Sequence, residues 1–179
     1  MRSMIPYRPD AQPREKCMKI VTLAIIIRGN QILLGLKQGS PEIGEGTLNG
    51  PGGKFEPKLG DRTILGCLFR EVIEEFGIFL DLTRTKKVAI ITFHRNGEPY
   101  MEMHTYRTSD FSGEPRETES MIPEWHDIDK IPFERMLESD PHWLPQLIRG
   151  EKFRTNVYYR EKAKGFLKID PFLPFVDSD

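Results

Sequence analysis

The pattern of apolar positions divides this chain into short strands and two helical stretches. Ile20 to Ile27 is a nearly unbroken apolar, β-branched run, and Ile32 to Leu36 is another. Gly29-Asn30 between them reads as a hairpin turn. Runs with so little polar alternation predict strands buried on both faces. Lys87 to His94 and Tyr100 to Tyr106 alternate well enough to be strands, with Asn96-Gly97 as the turn that joins them. Phe153 to Tyr159 and Phe166 to Ile169 form a last hairpin-like pair, with Lys162, Lys164 and Gly165 between them. The tail Phe172-Leu173-Pro174-Phe175 is apolar enough to pack onto the body. The period changes around Phe69, Val72, Ile73 and Phe76, which fit one side of a helix that stops at Gly77. A second helix shows its apolar side at Leu144, Leu147 and Ile148, and Pro132 and Pro141 are placed to open short helices. Together these predict an α/β chain of the α+β sandwich type, a mixed β-sheet packed between helices. Pro6, Pro9 and Pro13 forbid a helix near the start, so residues 1–16 read as an extended arm and 17–179 as one domain.

Composition narrows the possibilities only a little. A chain of 179 residues has material for one sizeable core. Its net charge of -1 gives no reason to expect a long nucleic-acid partner. Cys17 and Cys67 form neither a metal-ligand spacing nor a disulfide framework, so a reduced, cytoplasmic setting is expected. No apolar run has the length needed to span a bilayer, and the polar, proline-bearing start reads as neither signal peptide nor membrane anchor. A monomer is expected.

The chemistry concentrates in one stretch. Gly52-Gly53-Lys54 is a glycine turn, and Arg70-Glu71-Val72-Ile73-Glu74-Glu75-Phe76 follows as helix. At the helical angle per residue, Arg70, Glu71, Glu74 and Glu75 cover about 140° of the circumference, opposite Phe69, Val72, Ile73 and Phe76. Adjacent like charges cost stability unless a cation offsets them. Carboxylate oxygens suit Mg²⁺, which commonly binds through one or two carboxylates plus substrate phosphates. Glycine turns let backbone N–H groups approach an anion. Carboxylates beside such a turn point to diphosphate chemistry.

These residues resemble the Nudix hydrolase family. Arg70, Glu71, Val72, Glu74, Glu75, Gly77 and Ile78 match its signature position for position, preceded by Gly52-Gly53-Lys54. The spacing from Gly53 to Arg70 is three residues longer than the family's, which leaves the early glutamate of the signature near Asp61 or Arg62, with Glu56 out of register. Leu33 to Lys37, then Leu48-Asn49-Gly50, is similar to the branch that hydrolyses oxidised purine nucleoside triphosphates such as 8-oxo-dGTP. Trp125, Ile131-Pro132-Phe133, Met136 and Asp140 to Pro145 keep that branch's order.

The resemblance implies Mg²⁺ as cofactor, with Mn²⁺ able to substitute, held by Gly52, Glu71, Glu74 and Glu75. It implies Glu75 as the first choice of general base, with Glu71 and Glu74 as alternatives, and Arg70 as the residue that orients them. It implies a small-molecule nucleotide substrate in a pocket formed by Asn49, Asp140, Thr22, Lys37 and Leu137, with Ile43 beside them. An amide such as Asn49 offers both donor and acceptor to a purine edge, although Asn-Gly is also a common turn signal. The branch reads the base with a Trp and, two residues on, an Asp; Leu137 and Ser139 stand there instead, with Asp140 adjacent. A further metal ligand or base is expected from Glu117 or Glu119, because Ser120 occupies the usual glutamate position. His104 is expected to be packed rather than catalytic. The rival readings are a Nudix hydrolase of ADP-ribose, a nucleotide sugar or capped RNA, and a non-catalytic nucleotide-binding module.

Overall fold

The computed structural model describes residues 18–39 and 46–175. The arm over 1–16, Cys17 and Ile43 lie outside the described residues.

Strand β1 (Lys19–Arg28) turns at Gly29-Asn30 into β2 (Gln31–Lys37), as the apolar runs predict. A two-residue strand, β3 (Leu48–Asn49), pairs with the far end of β2 and leads into the glycine turn. Helix α1 (Ile64–Phe76) follows, then β4 (Phe79–Leu80), the long hairpin β5 (Lys86–Arg95) and β6 (Glu98–Thr108), and β7 (Phe111–Ser112). Strand β8 (Met121–Asp127), helix α2 (Asp140–Ile148), β9 (Phe153–Glu161) and β10 (Lys164–Ile169) complete the chain.

The main sheet runs β10-β9-β5-β6-β1-β2-β3, with β8 also paired to β2; β4 and β7 form a separate small ladder. Two pairings are parallel, β1 with β6 and β5 with β9, and the other ladders of the main sheet are antiparallel. The sheet is therefore mixed, with α1 on one face and α2 on the other. Leu68, Val72 and Phe76 of α1 pack with Ala24, Ile26 and Leu33. Trp143, Leu144 and Leu147 of α2 pack with Leu23, Ile25 and Ile91 on the opposite face. Alternate residues of β1 thus feed two cores, which explains its near-continuous apolar sequence. The tail also packs: Phe172 meets Phe153 at 4.3 Å between ring centroids, and Leu173 bridges to Arg154.

One expectation needs correction. Helix α1 does not centre its apolar side on Phe69, Val72, Ile73 and Phe76. Cys67, Leu68, Val72 and Phe76 are buried, while Phe69 and Ile73 are only half-covered. The helix is rolled so that Glu71 and Glu75 tuck against the glycine turn instead of facing solvent. Thr63 caps its start, its hydroxyl oxygen accepting the Gly66 N–H at 2.9 Å. Gly77 ends it at φ 69°, a left-handed conformation that glycine adopts without strain. Among the described residues, no helix is long and apolar enough to cross a membrane.

Candidate active site

The glycine turn is fastened to β1 by its backbone. Thr22 N–H donates to Gly53 O and Ala24 N–H to Pro51 O, each at 2.8 Å. At this height α1 lies directly over the turn, and Gly52 N–H donates to Glu75 Oε2 at 2.8 Å. Gly52 has φ 152°, and a Cβ there would overlap the Thr22 carbonyl. A Cβ at Gly53 would overlap the Glu71 carboxylate. Both glycines are thus required by close approach, one to β1 and one to the helix.

Arg70 organises the carboxylates. Its Nε and Nη2 donate to the two oxygens of Asp61, both at 2.9 Å, in a bidentate fork. Its Nη1 reaches Glu71 Oε1 at 2.9 Å and Glu74 Oε2 at 3.0 Å. Asp61 also accepts the Glu56 N–H at 2.8 Å, which ties the loop over the helix. The hydrogen bonds from Arg70 hold the Asp61 carboxyl down at about 2. Of the two positions left open, Asp61 is the one that carries a carboxylate held by Arg70, and the Glu56 side chain instead pairs with Lys54 at 3.7 Å. The lengthened loop contains a short 3-10 turn at Pro57–Leu59.

The three helix glutamates are not equivalent. The Glu74 side chain is 56% exposed and turns toward Arg70, whereas Glu71 is 14% exposed. Burial pushes Glu75 up to about 8; the Gly52 N–H opposes this and the Glu71 charge adds to it. Glu71 is raised as well, chiefly by burial, against the pull of Arg70. Two partly buried carboxylates, close to a turn that leaves no room for a Cβ, fit a hard cation that would offset both effects. Among the described residues no three His, Cys, Asp or Glu side chains close into a ready-made cage. Glu71 and Glu75 would therefore hold a metal only as part of a shell, the kind Mg²⁺ completes with water and phosphate oxygens.

From this turn a cleft of about 200 Å³ runs along the α2 side of the sheet. Thr22, Lys37, Asn49, Gly52, Leu137 and Asp140 all line it, so the structure gathers every expected pocket residue that it describes. Lys37, which also lines the cleft, is lowered by burial, while the charges of Glu75 and Asp140 both pull it back up. Asn49 does two things: it lines the cleft, and its Oδ1 accepts the Gly50 N–H at 2.9 Å. Asp140 is 1% exposed, and burial pushes its carboxyl up to about 7.

Several lining residues escaped sequence reasoning. Phe93, Tyr100, Met101 and Met103 come from the β5–β6 hairpin, and Trp143, Tyr159 and Lys162 from α2 and the β9–β10 end. Apart from Lys162, a turn residue, their pattern in sequence is that of ordinary core residues, so periodicity carries no sign that they border a cavity. An aromatic wall exists after all, but it does not stand at position 137.

Two residues expected to add a ligand, Glu117 and Glu119, lie apart, and His104 is buried as expected. His104 does not line the cleft; its Nε2 meets Glu102 Oε1 at 2.7 Å on β6. Glu117 and Glu119 are exposed, and Glu117 Oε1 accepts from Gln38 at 3.4 Å. Between them Thr118 donates its hydroxyl to the Glu75 carbonyl at 3.0 Å, which docks this loop on the end of α1.

A mixed sheet between two helices, with a glycine turn seating helix glutamates at one end of a cleft, is the arrangement of a NUDIX domain. That family's pattern matches residues 18–147, and the chain belongs to it as a Nudix hydrolase. It is 36% identical over 136 residues to the oxidized purine nucleoside triphosphate hydrolase of Danio rerio, covering 75% of this chain and 83% of that one. It is 34% identical over 145 residues to the protein of the same name from Mus musculus, covering 80% and 88%. The mutator MutT protein of Bacillus halodurans shares the fold, with a TM-score of 0.71 at 21% identity over 86% of this chain and 97% of that one. The MutT NUDIX hydrolase of Burkholderia pseudomallei superposes with a TM-score of 0.55 at 29% identity, over 65% and 88%.

Proposed function

We propose that this chain hydrolyses an oxidised purine nucleoside triphosphate, such as 8-oxo-dGTP, to the monophosphate and pyrophosphate. The observation that carries the reading is that one cleft is lined both by Asn49 and Asp140 and by Gly52 and Gly53. The first pair offers polar groups to a purine edge, and the second backs the glutamates that suit a diphosphate. Relatives that bear the name of this activity support it.

A divalent cation, Mg²⁺ or Mn²⁺, held by Glu71, Glu75, Glu74 and the Gly52 carbonyl, would supply charge neutralisation at the diphosphate oxygens. The other roles belong to side chains of this chain. Glu75 takes a proton from the attacking water, and its elevated affinity for protons suits a general base near neutral pH. The Gly52 N–H fixes which Glu75 oxygen is free to do so. Arg70, anchored by Asp61, orients Glu71 and Glu74. Lys37 balances the charge between the base end and the phosphate end. The reading carries with it a cytoplasmic monomer that acts on free nucleotides.

The test is a chromatographic screen of the products formed with Mg²⁺ from canonical and oxidised nucleoside triphosphates, ADP-ribose, nucleotide sugars and capped RNA. Oxidised purine triphosphates should give the highest kcat/KM. A higher value for ADP-ribose or a nucleotide sugar would overturn the assignment, and no turnover of any would favour a binding module.

A further inference from the structure

Cys67 stands where α1, β1 and the glycine turn meet, and the proposed chemistry leaves it unused. It is fully buried, and it is not one of the residues that line the cleft. Its Sγ lies 3.4 Å from Lys54 O, 3.8 Å from Thr22 Oγ1 and 4.0 Å from Gly53 O. Burial pushes the thiol up to about 12, so its proton stays on sulfur at neutral pH. Backbone carbonyls only accept, so toward the turn the S–H is the donor, with Lys54 O as its nearest acceptor. Arg70 Nη2 donates to the same carbonyl at 3.3 Å.

Thr22 reaches the turn from β1. The Gly53 N–H donates to Thr22 Oγ1 at 3.4 Å. The hydroxyl proton has Gly53 O at 3.3 Å and Cys67 Sγ at 3.8 Å within reach, and either bond ties β1 to this seam. The hydroxyl of Thr22 is therefore engaged by the turn and the helix, although the residue also lines the cleft. The seam has no slack on its other side. A Cβ at Gly53 would overlap the Glu71 carboxylate, and the Gly52 N–H meets Glu75 Oε2 at 2.8 Å. A turn that drifted from α1 would carry the partners of both carboxylates with it.

We propose that Cys67 and Thr22 are positioning residues for the metal end: their side-chain bonds to Gly53 and Lys54 set the gap between the turn and α1, and through it the places of Glu71 and Glu75. Cys67 thus acts on a divalent cation without touching it, as hydrogen-bonded groups behind metal ligands do. The inference rests on the reading that Glu71 and Glu75 hold the cation beside this turn.

The experiment measures Mn²⁺ affinity by calorimetry, without nucleotide, for wild type, Cys67→Ala, Cys67→Ser, Thr22→Val and Thr22→Ser. Alanine and serine differ by one oxygen, so the first pair separates the hydrogen bond from the packing. Cys67→Ala should bind Mn²⁺ about tenfold more weakly, and Cys67→Ser should stay within about threefold of wild type. Thr22→Val, which keeps the shape and loses the hydroxyl, should also weaken binding about tenfold, and Thr22→Ser should restore it. At saturating Mn²⁺ the Cys67 variants should keep the nucleotide KM within about twofold, because that residue does not border the cleft. Folded Cys67→Ala and Cys67→Ser proteins with equal Mn²⁺ affinity would reduce Cys67 to a packing residue and overturn the proposal. If Cys67→Ala does not fold, the Thr22 pair decides by the same comparison. Wild-type protein that binds no Mn²⁺ would overturn the reading of the metal end itself.

Discussion

At the scale of single residues, the active end depends on what is missing from two glycines and on what Arg70 holds. Gly53→Ala would drive a methyl into the Glu71 carboxylate, so divalent-cation affinity should fall at least about tenfold, as when a group supporting a ligand is disturbed. Metal titration followed by calorimetry checks this, and unchanged affinity would remove Glu71 from the shell. Glu75→Gln keeps the acceptor for the Gly52 N–H but cannot take a proton, and should cost at least about 100-fold in turnover. Near-wild-type activity with Mg²⁺ would reassign the base to Glu71 or Glu74. Asp61→Asn tests the anchor of Arg70. The folded carboxyl titrates at about 2, below its ordinary value, so the stability it contributes is present above about pH 4 and is lost as pH falls toward 2. Thermal midpoints should therefore show Asp61→Asn several degrees below wild type at neutral pH, with the gap closing in acid. The glutamates and Arg70 were readable as a signature because their spacing is fixed. Asp61 was left undecided against Arg62, because a lengthened loop gives no register until the Arg70 fork is seen.

At the scale of elements, strands and turns were more legible than the way the helix is seated. Apolar runs with the Gly29-Asn30 and Asn96-Gly97 turns located β1, β2, β5 and β6 because burial on a sheet imposes a pattern on consecutive residues. The roll of α1 was misjudged for a physical reason. Amphipathic reasoning put Phe69 and Ile73 in the core, yet Cys67 and Leu68 take those places while Glu71 and Glu75 lie against the turn, offset there by Arg70 and the Gly52 N–H. A functional site is where such a rule is expected to fail. The cleft walls were hidden for the complementary reason, since Phe93, Met101 and Met103 obey the core pattern. Position 137, at the entry to α2, remains the informative substitution. Leu137→Trp adds a stacking surface to a residue that lines the cleft, and should lower KM for oxidised purine triphosphates about fivefold, equivalent to ~1 kcal/mol. An unchanged substrate profile would place the base against the β5–β6 aromatics alone.

At the scale of the whole molecule, two carboxyls, one buried and one partly buried, make the fold sensitive to pH. Asp140 titrates at about 7 and Glu75 at about 8 in the folded chain, both above their ordinary values. The folded state therefore binds those protons more tightly than the unfolded state, and stability falls as pH rises from about 4 through these values. Without divalent cation, the thermal midpoint should be higher at about pH 5 than at about pH 8, and Mg²⁺ should recover most of the loss at the higher pH. A midpoint that rises with pH would show that the two groups are solvated, contrary to the packing around them.

The parallel ladder between β1 and β6 has a further consequence for biogenesis. Lys19 pairs with Met101, so a strand translated near the beginning finds its neighbour only after most of the hairpin β5–β6 has left the ribosome. Until then the greasy first hairpin waits without a lid in the nascent chain, and loop closure over that span governs how soon the sheet assembles. Chaperone contact during translation, rather than after release, is the stage at which this polypeptide is most in need of protection.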